Sequence, residues 1–266
     1  MQRPPPAADA GHRRSARSLT LTALDGIPEI EAGDDLAAEI TAALDRAAIV
    51  LREGDAVVVA QKIVSKSEGR VIDLEAVSPS ARAIELAEVT GKDPRLIELV
   101  LGQSKEVMRA RRDVIIVEHR LGFVMANAGI DQSNVGGDDC ALLLPEDPDA
   151  SCERLRDALR HATGVSVGVI VNDSFGRAWR NGTVGIALGV AGLPALLDLR
   201  GRPDRFGRKL QITQVGLADE IAAAASLLMG QADEGFPVVH VRGLPYEPRE
   251  GSVRELLRPM KEDLFR

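Results

Sequence analysis

The sequence predicts an α+β protein, with mixed or antiparallel sheets and packed helices. Three observations carry this expectation. Short continuous apolar runs such as Ala56-Val57-Val58-Val59-Ala60 suit strands buried on both faces. Capped stretches of helical period, closed by glycine, separate the strands. Asp113–Val117 and Phe123–Met125 lie on either side of Arg120-Leu121-Gly122, the spacing of an antiparallel hairpin. A regular parallel α/β sheet would not contain such a pair.

Bulk properties narrow the classes. The chain has 266 residues, is 45% hydrophobic and only 3% aromatic, so its core is built from Val, Ile, Leu and Ala. A net charge of -7 argues against nucleic acid as a partner, since nucleic-acid binding needs a basic face. No apolar run reaches the roughly 18 residues of a membrane helix, so no membrane association is expected. Cys140 and Cys152 match no zinc or redox spacing, and two cysteines make no secreted framework, which suits a reducing cytoplasm. Residues 1–17, rich in Pro, Ala and Arg, read as a disordered tail, and residues 18–266 as one domain.

The elements follow in order. Ser18–Leu24 alternates like a strand, and Gly26-Ile27-Pro28-Glu29-Ile30 breaks it into a loop. Asp34-Asp35 open a helix running to about Leu51. After the buried strand 56–60 comes Gln61–Arg70, dense in Lys, Ser and Arg; this segment alone favours a solvated loop or edge strand over a phosphate-holding one. Ser78-Pro79 opens a helix closed by Gly91, and Asp93-Pro94 opens another whose stripe is Leu96, Leu99, Val100, Val107 and Met108. Ser151 caps a helix to Thr163, ended by Gly164. Gly185, Gly189 and Gly192 suggest close packing of a small-residue segment. Gly207–Leu217 alternates like a strand, Ala218–Leu228 is an Ala-rich helix, Pro237–Val241 is a last buried strand, and Val253–Met260 suits a final amphipathic helix.

Two stretches carry the chemistry. Val124–Asn134, VMANAGIDQSN, runs from strand to a polar loop with Asp131, Gln132 and Asn134. Val165–Arg180, VSVGVIVNDSFGRAWR, runs from strand to Asp173 and Ser174, then to Arg177, Trp179 and Arg180. If the loops meet, two hard anionic ligands stand beside guanidinium groups, as a divalent metal and a phosphate-bearing substrate require. Ser174 and Gln231 could add neutral oxygens. Spacing alone gives a slight edge to the ordinary roles of loop aspartates, turn formation and capping. No P-loop, H-E-x-x-H or dinucleotide fingerprint occurs, and His12, His119, His161 and His240 read as surface or core residues.

The segments GIPEI, IVSKSEGR, NAGIDQSNV, LLLPEDPDAS, VNDSFGRAWRNG, ADEIAAAASLLMGQADEGFPVVHVRG and RELLRP together resemble the coenzyme F420-0:gamma-glutamyl ligase family, from about Leu19 to the C-terminus. The resemblance implies a GTP-dependent amide ligase. It would activate the carboxylate of F420-0 as an acyl phosphate and join L-glutamate to it through a gamma-linked amide. It implies Mg²⁺ or Mn²⁺ in a two-metal site, with K⁺ as a further candidate, and an intertwined homodimer of α+β fold. Asp131, Asp173, Ser174 and Gln231 look like metal ligands. Ile27, Pro28, Glu29, Ile30, Gln61, Lys66, Asn134 and the loop Met229, Gly230, Gln231, Ala232, Asp233, Glu234, Gly235 and Phe236 look like nucleotide contacts. Gln61 stands where serine is common, and Ser174 where threonine is usual. Arg177 and Arg180 as phosphate or substrate clamps are read from guanidinium chemistry alone. A metal-dependent phosphatase or phosphotransferase, and a non-catalytic nucleotide- or F420-binding module, remain competing readings.

Overall fold

The computed structural model describes residues 17–133, 135–137 and 139–263. In chain order its strands are β1 (Thr20–Ala23), β2 (Ala56–Ala60), β3 (Val71–Asp73), β4 (Ser104–Arg111), β5 (Val114–His119), β6 (Val124–Ala126), β7 (Cys140–Leu142), β8 (Gly168–Arg177), β9 (Arg180–Ala191), β10 (Leu197–Asp198), β11 (Gln214–Val215) and β12 (Val238–Arg242). Its α-helices are α1 (Leu36–Arg46), α2 (Gln61–Ser67), α3 (Ala81–Thr90), α4 (Pro94–Gly102), α5 (Pro148–Thr163) and α6 (Leu217–Met229). The fold is α+β, as expected.

The main sheet has the order β1-β12-β2-β8-β9. Only β2 and β8 run parallel; the other neighbours are antiparallel. The Val/Ile/Ala runs of β2, β8 and β12 are buried because α1, α5 and α6 contribute apolar faces to the same core. A second core joins α3, α4, β4, β5 and β7 through Leu86, Ile97, Val100, Ile115, Val117 and Ala141. Burial on this scale is the main stabilising term of such a fold.

The register places three strand ends together beside the middle of β8. β1 runs out at Ala23, β12 begins beside Val59, and β2 ends at Ala60 opposite Asn172 of β8. Ala60 N–H donates to the Pro237 carbonyl at 2.7 Å, closing this end. The opposite end is pinned by Asp55. Its carboxylate accepts from Arg242 Nη2 at 2.6 Å and from Arg242 Nε at 2.9 Å, and lies 3.0 Å from His240 Nε2. Burial raises the Asp55 pKa, but these partners outweigh it and hold the carboxyl below its usual range.

Several sequence expectations are corrected. Gln61–Ser67 is a buried helix, not a solvated loop or edge strand, because Ile63 and Val64 join the main core while Lys62 and Lys66 share another face. Helix α1 stops at Arg46, before Ala48 turns left-handed at φ 53°. Ser80, not Ser78, caps α3 by accepting from Ala83 N–H. Val107 and Met108 lie in β4, since Gly102 ends α4. Asp147 caps α5, with Pro148 in the first turn, and Ser151 sits inside the helix. Over 207–217 only Gln214–Val215 pairs as a strand: Asp204 accepts from Phe206 N–H and Arg208 N–H and folds the segment into a turn. Residues 253–260 hold only a short 3-10 turn, capped by Ser252, instead of an amphipathic helix. Of the expected disordered tail, residues 1–16 lie outside the described residues.

The close packing expected of the glycine segment is present in β9. A Cβ on Gly189 would stand 2.2 Å from the Pro148 carbonyl oxygen, and one on Gly185 would stand 2.0 Å from Ser226 Oγ. Gly189→Ala must therefore push α5 off the sheet. Urea unfolding is expected to show a loss of about 1–3 kcal/mol, the usual cost of overpacking a tight contact. An unchanged midpoint would show that this contact is loose.

Candidate active site

The cavity opens where the ends of β1, β12 and β2 meet the middle of β8. It measures about 580 Å³ and is lined from Ile27–Ile30, 60–63, Lys66, Asp131, Ser133, 172–174 and 229–237. Nearly every residue singled out from sequence is therefore gathered in one place. Asn134 lies outside the described residues. Arg177 and Arg180 face each other at the exposed tip of the β8–β9 hairpin and do not line the cavity.

Asp173 is on β8 itself rather than in a loop after it. The strand pairing shifts register between Val171 and Asn172, a local irregularity of the kind that re-aims side chains beside active sites. Asn172 then ties β8 to the end of α6: its Nδ2 donates to Ser226 Oγ at 3.0 Å and to Met229 Sδ at 3.3 Å. Asp131 arrives from the second core. The Asp131 and Leu142 backbones exchange hydrogen bonds of 3.1 and 2.8 Å. Phe123 packs edge-on against Phe175, ring centroids 6.1 Å apart, joining the β6 side to β8.

The electrostatics of the two carboxylates differ. Burial pushes Asp131 up, but Lys62 and the Ser133 donors prevail and hold its carboxyl below the usual range. Lys62 Nζ stands 2.7 Å from Asp131 Oδ2, and Ser133 N–H donates to Oδ1 at 2.7 Å. Among the described residues, the direct donor to Asp173 is the Ser174 N–H, at 2.8 Å. Burial, reinforced by the Asp131 charge, pushes its pKa up to about 7. A desolvated carboxylate facing a second one is stabilised by a cation placed between them.

The donors fit a hard divalent ion. Ser174 Oγ donates to Gln231 Oε1 at 2.7 Å, so both neutral oxygens reach the carboxylate side of the cavity. Among the described residues no three His, Cys, Asp or Glu side chains form a metal cage. Two carboxylates with neutral oxygens are the sparse set that Mg²⁺ or Mn²⁺ completes with phosphate oxygens and water.

The rest of the lining comes from the 229–237 loop, helix α2 and the loop after β1. Gly230, at φ 75°, turns the chain out of α6, and a Cβ there would meet the Glu234 carboxyl at 2.1 Å. Glu234 Oε2 accepts from Ala232 N–H at 2.8 Å and Gln231 N–H at 3.1 Å, fixing the 231–234 turn. Lys66 pairs with Glu29, joining α2 to the loop after β1. Gln61 is buried, and its Oε1 accepts from Ser65 Oγ at 2.8 Å. Sequence reasoning missed Lys62, Asn172 and Ser133. Lys62 is four residues before Lys66, a helical spacing that reveals a shared face only once the segment is known to be a helix.

A family model described as F420-0:gamma-glutamyl ligase matches residues 26–243. The chain belongs to this family. Coenzyme F420:L-glutamate ligase of Methanothermobacter thermautotrophicus is 50% identical over 250 residues, covering 93% of this chain and 99% of that protein. The protein of the same name from Methanocaldococcus jannaschii is 46% identical over 216 residues, covering 81% and 86%. That from Natronomonas pharaonis is 46% identical over 247 residues, covering 91% and 92%. The match to the F420-0:gamma-glutamyl ligase family model spans every cavity-lining residue, from Ile27 to Pro237. Among its described residues no helix is long and apolar enough to cross a membrane.

The raised Asp173 pKa has a thermodynamic consequence. The folded state keeps the proton that an ordinary aspartate, near 3.8, has already lost. Stability of the metal-free protein is therefore expected to fall as pH rises through the window from about 4 to 7. Asp219 is raised too, so the variant comparison isolates Asp173. In EDTA, Asp173→Asn should melt close to wild type at pH 4 and several degrees higher at pH 8. An equal difference at both pH values would refute the shift.

Proposed function

We propose that this protein is a GTP-dependent ligase that joins L-glutamate to coenzyme F420-0 through gamma-linked amide bonds. The observation that carries the reading is one cavity holding two carboxylates, Asp131 and Asp173, against a wall with Lys66 and the 229–236 loop. The names of the relatives supply the substrates.

The chemistry follows from the leaving group. A free carboxylate is a poor acyl donor. The terminal phosphoryl group of GTP passes to a carboxylate oxygen of F420-0, and GDP leaves. The glutamate amine then attacks the acyl carbon, inorganic phosphate departs, and the amine loses a proton. Asp131, Asp173, Ser174 and Gln231 would hold Mg²⁺ or Mn²⁺, in one or two sites, which offsets charge on the phosphates when bound. K⁺ is a further candidate. Ile27–Ile30, Lys66, Asn134 and Met229–Phe236 hold the nucleotide. Gln61 contributes through its fold against Ser65 and its place in the wall. Arg177 and Arg180 clamp phosphate or carboxylate from the hairpin tip. We include a homodimer in the reading: the exposed Phe206, Ile212 and Leu227 are surface that a second protomer would cover.

GDP release from GTP, with Mn²⁺ or Mg²⁺, is expected only when F420-0 and L-glutamate are both present. Mass spectrometry should find product raised by glutamyl units. Asp173→Asn should lower turnover at least about a hundredfold, the scale of losing several kcal/mol of charge stabilisation, while keeping a cooperative melt. Phosphate release without glutamate would move the assignment to a phosphatase or phosphotransferase. Ligand binding with no turnover would leave a binding module.

A further inference from the structure

Lys62 occupies the position that the metal reading needs for a cation. Its ammonium stands 2.7 Å from Asp131 Oδ2, and donates to Ser133 Oγ at 2.8 Å and to the Ser133 carbonyl at 3.2 Å. Its field also reaches Asp173. Ser133 N–H donates to the other Asp131 oxygen and uses part of its accepting capacity. A divalent ion on Asp131 therefore competes with the ammonium for the same carboxylate charge, because two cations on one carboxylate repel. The contact is open to exchange: the Lys62 and Asp131 side chains are 29% and 35% exposed. Lys62 also lines the cavity, on the same face of α2 as Lys66. Once released, a flexible lysine there reaches for phosphate as a point charge.

We propose that Lys62 is an exchangeable counter-ion: it neutralises Asp131 in the metal-free enzyme, and metal entry releases it to pair with a phosphate-bearing ligand. The proposal rests on the metal site of the ligase reading. It makes metal and nucleotide binding mutually reinforcing through one side chain, and such coupling is reciprocal. It also lets the apo protein hold a half-buried carboxylate without leaving its charge bare.

The test uses metal-stripped full-length protein. Mn²⁺ binding is measured by the electron paramagnetic resonance of free Mn²⁺, and GDP binding at saturating Mn²⁺ by calorimetry. Wild type should bind Mn²⁺, and Asp131→Asn should weaken it. Lys62→Met should bind Mn²⁺ alone about fivefold tighter, the scale of one charge pair near water. The same variant should bind GDP about fivefold more weakly. Lys62→Arg should stay near wild type in both. A lysine with a merely structural role would weaken both affinities together. If Lys62→Met leaves Mn²⁺ affinity equal or lower while Asp131→Asn still weakens it, the counter-ion role is overturned and the metal site stands. If wild type takes up no Mn²⁺, or Asp131→Asn binds it as wild type does, the metal site falls and the role of Lys62 with it. Should Lys62→Met not melt cooperatively, Lys62→Gln serves with the same expectations.

Discussion

Two carboxylates desolvated at one end of a sheet must find positive charge, and much of this structure answers that requirement. Asp173 is carried by the buried strand β8 and cannot retreat into water. Asp131 is delivered against the same cavity from the other core. Lys62 neutralises one of the pair and only partly reaches the other. A charge left bare at such a site costs far more than the pair contributes when satisfied, and on the proposed ligase reading a cation entering with the substrate removes that cost.

The scaffold spends conformational freedom to achieve this. Asn127, Ala128 and Gly129 all adopt positive φ, at 53°, 53° and 68°. Three left-handed residues in succession, two of them not glycine, are unfavourable for the chain. They turn it sharply between β6 and Asp131, so that the aspartate pairs with Leu142 and still faces the cavity. The strain sits beside the site, and the buried neighbours Ala128 and Ile130 hold it in place through the second core. At the far end of the sheet, Asp55, His240 and Arg242 form a fully partnered carboxylate. The contrast is instructive. One carboxylate of the fold is satisfied by its own chain, and Asp173 is not.

Much of the site was legible because its residues are chemically uncommon in context. Carboxylates and hydroxyls directly after apolar runs pointed to Asp131, Asp173 and Ser174, whereas Met229–Phe236 read by itself only as a flexible acidic loop and its place in the site was implied by the family resemblance. What stayed hidden depended on tertiary packing. Helix α2 follows β2 without an intervening loop, and its cap residue, Ala60, offers no side-chain hydrogen bond. Nothing local announces such a helix, so Lys62 and Lys66 could not be placed on one face. Asp173 read as a loop residue because polar side chains interrupt the apolar run, yet β9 pairs with β8 on past it as far as Arg177. Segment 207–217 carried a periodic pattern that burial did not use, with Ile212 left exposed, while Val253, Leu256 and Leu257 pack on the main core without forming the expected helix.

The central claim is that phosphoryl transfer to a carboxylate, not to water, takes place at this pair. The most direct measurement uses F420-0 labelled with ¹⁸O in its terminal carboxylate, incubated with GTP, L-glutamate and Mn²⁺, followed by mass analysis of the released phosphate. The account predicts one ¹⁸O atom in the phosphate released with the first glutamate added, carried over when the amine displaces it from the acyl carbon; later additions draw on the unlabelled gamma-carboxylate of the glutamate just joined. Unlabelled phosphate released alongside singly glutamylated product would contradict it.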